Sequence, residues 1–180
     1  IALEASQNQI GGSNPGERNL ISGNAASGIE ISGNKTNKNL VIGNYIGTDI
    51  SGNKRLANNA FGIFMSDGAA ENRIGGEKAG ERNLISGNNL SGIILRDRGT
   101  AENIICGNYI GTNIAGTQPL ANGENGIYIT LDASQNIIGS TNPVAGNLIS
   151  GNIYSGIEIG GEATIGNLVI GNLIGLDVTS

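Results

Sequence analysis

The sequence predicts an all-β fold, a right-handed parallel β-helix in which about five to six coils of three short strands stack as a solenoid. The first observation is an ungapped internal repeat of 64 residues, so that Asn19–Asn24 recurs as Asn83–Asn88 and as Asn147–Asn152. The second is a Gly-Ile pair that returns at alternating spacings of 34 and 30 residues. The third is asparagine at fixed positions between the apolar runs. A fixed period with turn and aliphatic residues in constant phase is typical of stacked repeats.

Each repeat contains two coils, and each coil contains three strand-like segments. The first strand begins with the glycine of a Gly-Ile pair, at Gly28, Gly62, Gly92, Gly126 and Gly156. The second strand contributes one aliphatic side chain to the interior, from Ile10, Val41, Ile74, Ile105, Ile138 and Val169. The third contributes Ile21, Ile46, Ile85, Ile110, Ile149 and Ile174. Because side chains alternate along a strand and parallel connections are right-handed, these columns predict three walls around one apolar interior.

Seventeen asparagines are predicted to occupy the corners between the walls. They form three columns: Asn8, Asn39, Asn72, Asn103, Asn136 and Asn167; Asn19, Asn44, Asn83, Asn108, Asn147 and Asn172; and Asn24, Asn58, Asn88, Asn122 and Asn152. Asparagine tolerates the left-handed backbone conformation of sharp corners, and stacked amides can hydrogen-bond to the coils above and below. We therefore expect a structural ladder, and the alternative is a polar binding strip.

Two kinds of insertion interrupt the coils. One lies between the second and third strands, at Ser13–Arg18, Glu77–Arg82 and Thr141–Ala145. The other follows the third strand, at Asp49–Ala57 and Asn113–Ala121. Insertions in solenoids form loops on chosen edges, and like loops are expected ~9.6 Å apart along the axis. The outward side chains of the third strand, Tyr45 and Tyr109 among leucines, are apolar, so we expect a loop or a neighbouring chain to cover that wall.

Composition and charge exclude several classes of protein. The 180 residues include 31 glycines, no histidine and no tryptophan, and the net charge is −5. All ten lysines and arginines lie in residues 1–98 beside nine acids, whereas six acids and no base follow, so a basic nucleic-acid-binding face is not predicted. No apolar run is long enough to cross a bilayer. The single cysteine, Cys106, is interpreted as a small buried hydrophobe.

One β-helix domain is predicted over residues 1–180, with sequence repeats 1–64, 65–128 and 129–180. The sequence starts at Ile1 in mid-repeat, without a basic-then-apolar leader, so we expect a processed or excised piece of a longer repeat array. No amphipathic capping helix is evident at either end. Since a solenoid without caps exposes unpaired strand edges, end-to-end or side-by-side self-association is expected.

Three motifs suggest a family. Asn19–Asn24, Ser27–Ile31 and Asn44–Asp49 resemble the right-handed parallel β-helix repeats of the pectate-lyase-like superfamily, and above all the bacterial surface and secreted proteins that carry such repeats in tandem. The resemblance covers the whole chain and implies an extracellular or cell-surface location. It is specific for the fold and weak for function, because the superfamily includes lyases, hydrolases, epimerases, adhesins and purely structural stalks.

The resemblance also implies where chemistry would be found. Pectate lyases of this superfamily hold calcium with clustered aspartates and use arginine or lysine as the base, whereas the hydrolases need several neighbouring aspartates, typically with a histidine nearby. In this sequence Asp49 and Asp177 share a column, but Asn113 lies between them. We therefore predict no catalytic, cofactor-binding or metal-binding residue in this chain.

One outward column of the first strand is a candidate ligand face. It contains Glu30, Phe64, Ile94, Tyr128 and Glu158, beside Arg96. Phe64 and Tyr128 are two coils apart, so their rings are expected ~9.6 Å apart, a separation comparable to a disaccharide repeat, and aromatic rings can stack on sugars. The alternative is that these side chains pack on one another or on a partner chain.

The leading interpretation is a structural or adhesive β-solenoid segment of an extracellular or cell-surface protein, with no catalysis of its own. The alternative is a carbohydrate-binding module, or a fragment of a polysaccharide lyase, hydrolase or epimerase whose catalytic residues lie elsewhere. The expected partners are a polysaccharide or other copies of the chain, with no nucleic acid, no membrane insertion and no cofactor.

Overall fold

The structure, a computed structural model, describes residues 1–179 and consists of three parallel sheets, which form the three walls of a solenoid. The first wall contains β3 (Ile29–Ser32), β6 (Ile63–Ser66), β9 (Ile93–Leu95), β12 (Ile127–Ile129) and β15 (Ile157–Ile159). The second contains β1 (Gln9–Gly11), β4 (Leu40–Ile42), β7 (Arg73–Gly75), β10 (Ile104–Cys106), β13 (Ile137–Gly139) and β16 (Leu168–Ile170). The third contains β2 (Leu20–Ile21), β5 (Tyr45–Ile46), β8 (Leu84–Ile85), β11 (Tyr109–Ile110), β14 (Leu148–Ile149) and β17 (Leu173–Ile174).

The order of the strands makes five complete turns followed by two strands of a sixth, because the second and third walls have six strands and the first has five. Within a wall, each interior strand pairs in parallel with the equivalent strand one turn earlier and one turn later, and the first and last strands pair with one neighbour each. The predicted all-β solenoid with three strands per coil is therefore confirmed. The described residues contain no α-helix, and no helix among them could cross a membrane.

The inner faces of the walls form one apolar core along the axis. In the second wall, Val41 lies opposite Ile10 on one side and Ile74 on the other. The same in-register stacking continues through every wall, as the aliphatic columns predicted. The fully buried members of the core include Ile31, Ile46, Ile63, Met65, Ile85, Leu95, Ile105, Ile110, Ile127 and Ile129. Burial of such side chains is the main favourable contribution to folding, at about 1.5–3 kcal/mol for each.

An asparagine ladder follows each of the three corners, as predicted. At every step the Nδ2 group of one asparagine donates to Oδ1 of the asparagine in the next coil. Asn108 is representative: its Oδ1 accepts from Nδ2 of Asn83 at 2.9 Å, and its Nδ2 donates to Oδ1 of Asn147 at 3.0 Å. The same Nδ2 also donates to the carbonyl oxygens of Ile74 and Cys106. Buried corner amides are thus satisfied within the stack, as buried polar groups must be.

The corners beside the ladder are too tight for a side chain. Gly75 has a φ of +83°, and a Cβ atom at this position would lie 2.1 Å from the carbonyl oxygen of Cys106 and 2.5 Å from Oδ1 of Asn108. Both the positive φ and the contact with backbone of the next coil require glycine. The glycine and asparagine content of the sequence therefore follows from the corners of the solenoid.

Both kinds of insertion cover the outer face of the third wall. The first kind contains the short 3₁₀ turns Pro15–Glu17 and Ala79–Glu81, which place arginines over the wall. In the second kind, Gly52 packs so closely that an added Cβ would lie 2.9 Å from Leu84 and 3.2 Å from Tyr45. Tyr45 and Leu84 are consequently buried. The prediction that a loop covers this apolar wall is confirmed for these two residues.

The ladder generates a prediction about stability. We expect Asn108→Ala to lower the free energy of unfolding by about 3–5 kcal/mol, because it leaves several buried donors and acceptors of neighbouring coils without partners. Asn8→Ala is the matched control at the exposed end of a ladder, with an expected loss of about 1 kcal/mol or less. Urea unfolding followed by circular dichroism measures both, and equal losses for the two variants would contradict a ladder that carries stability.

Candidate functional site

The register of the first wall brings five of the six predicted ligand-face residues into one file, and the sixth, Arg96, lies beside it directly after β9. Phe64 lies between Glu30 and Ile94. Tyr128 lies between Ile94 and Glu158. The first-wall strip is defined here as Glu30, Phe64, Ile94, Arg96, Tyr128 and Glu158.

The side chains of the first-wall strip differ in accessibility. Ile94, at its centre, is only 5% exposed. Phe64 and Tyr128 are half-buried, and the polar side chains expected beside them are also covered, since Ser66 and Thr130 are buried. The surface that a ligand could contact is therefore two partly exposed aromatic rings separated by a buried isoleucine.

Phe64 has packing partners within the chain. Its ring stacks on Phe61, with centroids 5.6 Å apart and an interplanar angle of 25°. The Arg96 guanidinium carbon lies 6.0 Å from the Phe64 ring centroid, and Nε of Arg96 lies 3.2 Å from a carboxylate oxygen of Asp97. This arrangement gives one half-exposed ring with a cationic group beside it, which could contact the ring and the carboxylate of an acidic sugar.

The two carboxylates of the first-wall strip lie at its opposite ends. Glu30 accepts a hydrogen bond from Oγ of Ser32 at 3.1 Å, and Glu158 accepts one from Nδ2 of Asn125 at 2.8 Å. Four strand spacings separate them, which is ~19 Å. Paired carboxylates in glycoside hydrolysis lie about 5–9.5 Å apart, so these two cannot act on the same glycosidic bond.

In the column that contains Asp49 and Asp177 in the sequence, Asp49 and Asn113 each hold a turn of an insertion loop. Asp49 accepts hydrogen bonds from Oγ of Ser51 at 2.8 Å and from the backbone N–H of Lys54 at 3.1 Å. Asn113 holds the equivalent turn through the N–H groups of Thr117 and Gln118. The Ser51 hydroxyl, together with backbone N–H groups, lowers the pKa of Asp49. Among residues 1–179, no group of three or more His, Cys, Asp or Glu side chains is placed to hold a metal ion.

Two arginine–tyrosine stacks lie on the third wall, and the sequence did not indicate them. The guanidinium carbon of Arg18 lies 4.1 Å from the ring centroid of Tyr45, and that of Arg82 lies 3.9 Å from the ring centroid of Tyr109. Each arginine ends an insertion loop and fixes it onto the next coil. In both pairs the arginine precedes the tyrosine by 27 residues. This repeated spacing was the only sequence signal for the contact, and it could not predict the contact because the path of the loop between the two residues was not known.

Two shallow clefts accompany these loops. The larger, of about 280 Å³, lies between the Gly116–Pro119 segment and the last coil, beside Ser150 and Asp177. The smaller, of about 100 Å³, lies between the two 3₁₀ turns and is lined by Arg18, Tyr45 and Arg82. Loops that repeat along the axis therefore leave repeated depressions on one side of the column.

Cys106 ends β10 and is buried at 3% exposure. Burial raises the pKa of its thiol, and the nearby Arg73 opposes this effect. A thiol with a raised pKa is a weaker nucleophile at neutral pH, because the thiolate is the reactive form. The interpretation of Cys106 as a small buried hydrophobe agrees with its environment.

Comparison of the chain with protein-family models, with curated protein sequences and with solved structures found no match. The parallel β-solenoid is therefore established by the strand pairing, whereas membership of the pectate-lyase-like superfamily stays a resemblance of short motifs.

If the first-wall strip is a ligand face, we expect the double variant Phe64→Ala, Tyr128→Ala to bind polysaccharide about 10-fold more weakly. The reason is that each stacked ring contributes roughly 0.5–1.5 kcal/mol to binding. Affinity electrophoresis in gels containing acidic or neutral polysaccharides measures this as lost retardation.

Tyr154→Ala is the control for the strip, because this tyrosine is 70% exposed and lies outside it. The control is expected to be retarded like the unmodified chain. Unchanged retardation of the double variant would exclude the strip as a ligand face and leave internal packing as its role.

Proposed function

We propose that this chain is a structural segment of an extracellular or cell-surface protein, a rigid column without catalysis of its own. The observation that carries the proposal is the asparagine ladder. In the interior coils, the most regular polar residues of the sequence are buried at the corners and hydrogen-bond to one another. Their repetition thus serves the stacking of coils, and stacking is the property on which a scaffold depends.

Rigidity is supported by the way the coils are connected. Each of the five complete coils is joined to the next complete coil by three parallel strand pairings, three ladders and one continuous apolar core. Six strand layers at ~4.8 Å each give a column about 29 Å tall. Each further repeat of two coils would add ~9.6 Å, so a tandem array of such units would extend as a stiff rod.

An adhesive role is supported by the loops. The column holds equivalent insertions in line on one side, at Ser13–Arg18, Glu77–Arg82 and Thr141–Ala145. Many weak contacts made by repeated loops can sum to strong attachment when the spacing is fixed. A fixed spacing is what the ladder provides.

Carbohydrate binding is a second candidate, favoured by the half-buried Phe64 and Tyr128 on one wall with Arg96 between their coils. In that case the column would be a carbohydrate-binding module, or part of a polysaccharide lyase, hydrolase or epimerase with catalytic residues elsewhere. The same scaffold would then hold two sugar-stacking rings in line.

The scaffold proposal predicts that one repeat can be removed in phase. Deletion of residues 65–128 joins Phe64 to Ile129 and keeps every core column and ladder continuous. We expect this variant to fold and unfold cooperatively, with a urea m-value reduced by roughly a third, in proportion to the lost buried surface. Circular dichroism during urea titration measures this.

Deletion of residues 65–127 is the control, because it joins Phe64 to Tyr128 and shifts the strand by one residue. A one-residue slip exchanges the inner and outer faces of a strand, so this variant is expected to lose at least the spliced coil. Equal stability of the two deletions would contradict a scaffold built on register, and release of unsaturated sugars from a uronic-acid polymer by the full chain would contradict the absence of catalysis.

A further inference from the structure

The cleft between the two 3₁₀ turns, called the loop cleft below, is lined by two positive groups and by no negative one. Its lining includes Arg18, Arg82, Tyr45, Ser13 and Ile114, and no carboxylate is among the residues that line it. The chain as a whole has a net charge of −5, so this concave surface is a local exception. A cleft lined by charges of one sign attracts ions of the other sign, because its low-dielectric walls focus the field.

Neither guanidinium of the loop cleft is used within the chain. Arg18 and Arg82 make no ion pair and donate no side-chain hydrogen bond to any of residues 1–179. Nε of Arg82 is moreover buried without a partner. Arg55 differs, because its Nε donates to the carbonyl oxygen of Gly87 at 2.7 Å. A buried donor without a partner requires an explanation, and an acceptor that does not belong to the chain is one.

The glutamate that precedes each of these arginines is held by its own turn. The two carboxylate oxygens of Glu17 accept from Nδ2 and from the backbone N–H of Asn14, at 3.0 Å each. One carboxylate oxygen of Glu81 accepts from the backbone N–H of Lys78 at 3.3 Å, and the other lies 3.8 Å from Nζ of Lys78. These carboxylates therefore do not neutralise the arginines, whose charge remains available to the cleft.

Tyrosine rings hold the two guanidinium groups in place. The guanidinium carbons lie 4.1 and 3.9 Å from the ring centroids of the tyrosines beneath them. A guanidinium that stacks by its face keeps the N–H groups of its edge free for an acceptor. The third repeat has Gly146 and Leu173 at the two equivalent positions, so the arginine and the tyrosine are absent together. The pair thus behaves as a unit that positions a cation on the loop.

The size and spacing of the loop cleft fit one small anion. Its volume of about 100 Å³ is that of roughly three water molecules. Equivalent groups in successive repeats are ~9.6 Å apart, so an anion midway between the guanidiniums lies within hydrogen-bonding reach of both. A tetrahedral oxyanion has oxygens on opposite sides and can accept from both arginines, whereas the two oxygens of a carboxylate lie on the same side. The geometry therefore favours a phosphate or a sulfate group.

We propose that the loop cleft binds a tetrahedral oxyanion, a phosphate or sulfate group, between the guanidiniums of Arg18 and Arg82. Each arginine donates to the oxygens on its own side, and the two positive charges balance a dianion. The group is either a free ion or part of a larger ligand. The site lies on the third wall, apart from the first-wall strip. It goes beyond the scaffold proposal, which names no ligand for the loops.

The test is an NMR titration of the ¹⁵N-labelled chain with inorganic phosphate and with sulfate, in which sodium chloride keeps the ionic strength constant. Saturable shifts are expected for the Nε–H signals of Arg18 and Arg82 and for the backbone amides of both turns. Acetate is expected to bind at least 10-fold more weakly, because it cannot accept from both sides. Methyl phosphate separates the two sources: affinity equal to that of phosphate shows that a larger ligand can carry the group, and lost affinity assigns the free ion.

Two variants remove one side of the site each. Arg18→Ala and Arg82→Gln are each expected to raise the dissociation constant for phosphate about 10-fold or more, since each removes charge-assisted hydrogen bonds. The dispersion of the backbone amide signals shows whether each variant is folded, and either variant alone is sufficient for the test.

Arg98→Ala is the matched control, because it removes the same charge from an exposed position that does not line the loop cleft. It is expected to bind phosphate like the unmodified chain. Shifts that do not saturate in the millimolar range would overturn the proposal, as would equal weakening by Arg98→Ala and Arg18→Ala, which indicates non-specific attraction. Either failure would leave the scaffold proposal standing, because the in-phase deletion tests that proposal independently.

Discussion

The hydrogen bond between asparagine amides of successive coils is the constraint on which the rest of the structure depends. Amides can stack only if each coil returns its corner to the same lateral position one strand spacing further along, ~4.8 Å. The chain can vary between corners but not at them. The segment from Asn8 to Asn19 has more than twice the length of that from Asn39 to Asn44, yet both ladders continue without interruption.

A frame of this kind separates folding from function. The corners and the inner columns need particular residue types, whereas the outward positions of the walls and the insertion loops do not. Equivalent outward positions of successive coils therefore differ in residue type. In the first-wall strip they are occupied by glutamate, phenylalanine, isoleucine and tyrosine. The polarity of the ladder adds a direction to the frame, because each step donates from one coil to the coil nearer the C-terminus.

The periodic features were predictable from the sequence, and the local ones were not. Core columns such as Ile10, Val41 and Ile74 follow from the phase of the repeat, since equivalent residues in a solenoid stack. The stack of Phe61 on Phe64 was missed because Phe61 precedes its strand and has no aromatic equivalent in other repeats. The arginine stacks on Tyr45 and Tyr109 depend on how each loop folds back over the wall. Periodicity specifies which residues share a file, but it does not specify where an insertion lies.

Hydrogen exchange of individual asparagine amides tests the central claim most directly. The side-chain Nδ2 protons of Asn72, Asn103 and Asn136 are held between coils, so NMR is expected to show them exchanging only with opening of the stack, at free energies near that of global unfolding. The amide of Asn53, on an exposed loop, is expected to exchange far faster. Equal exchange rates for the interior and loop asparagines would contradict a column held together by its corners.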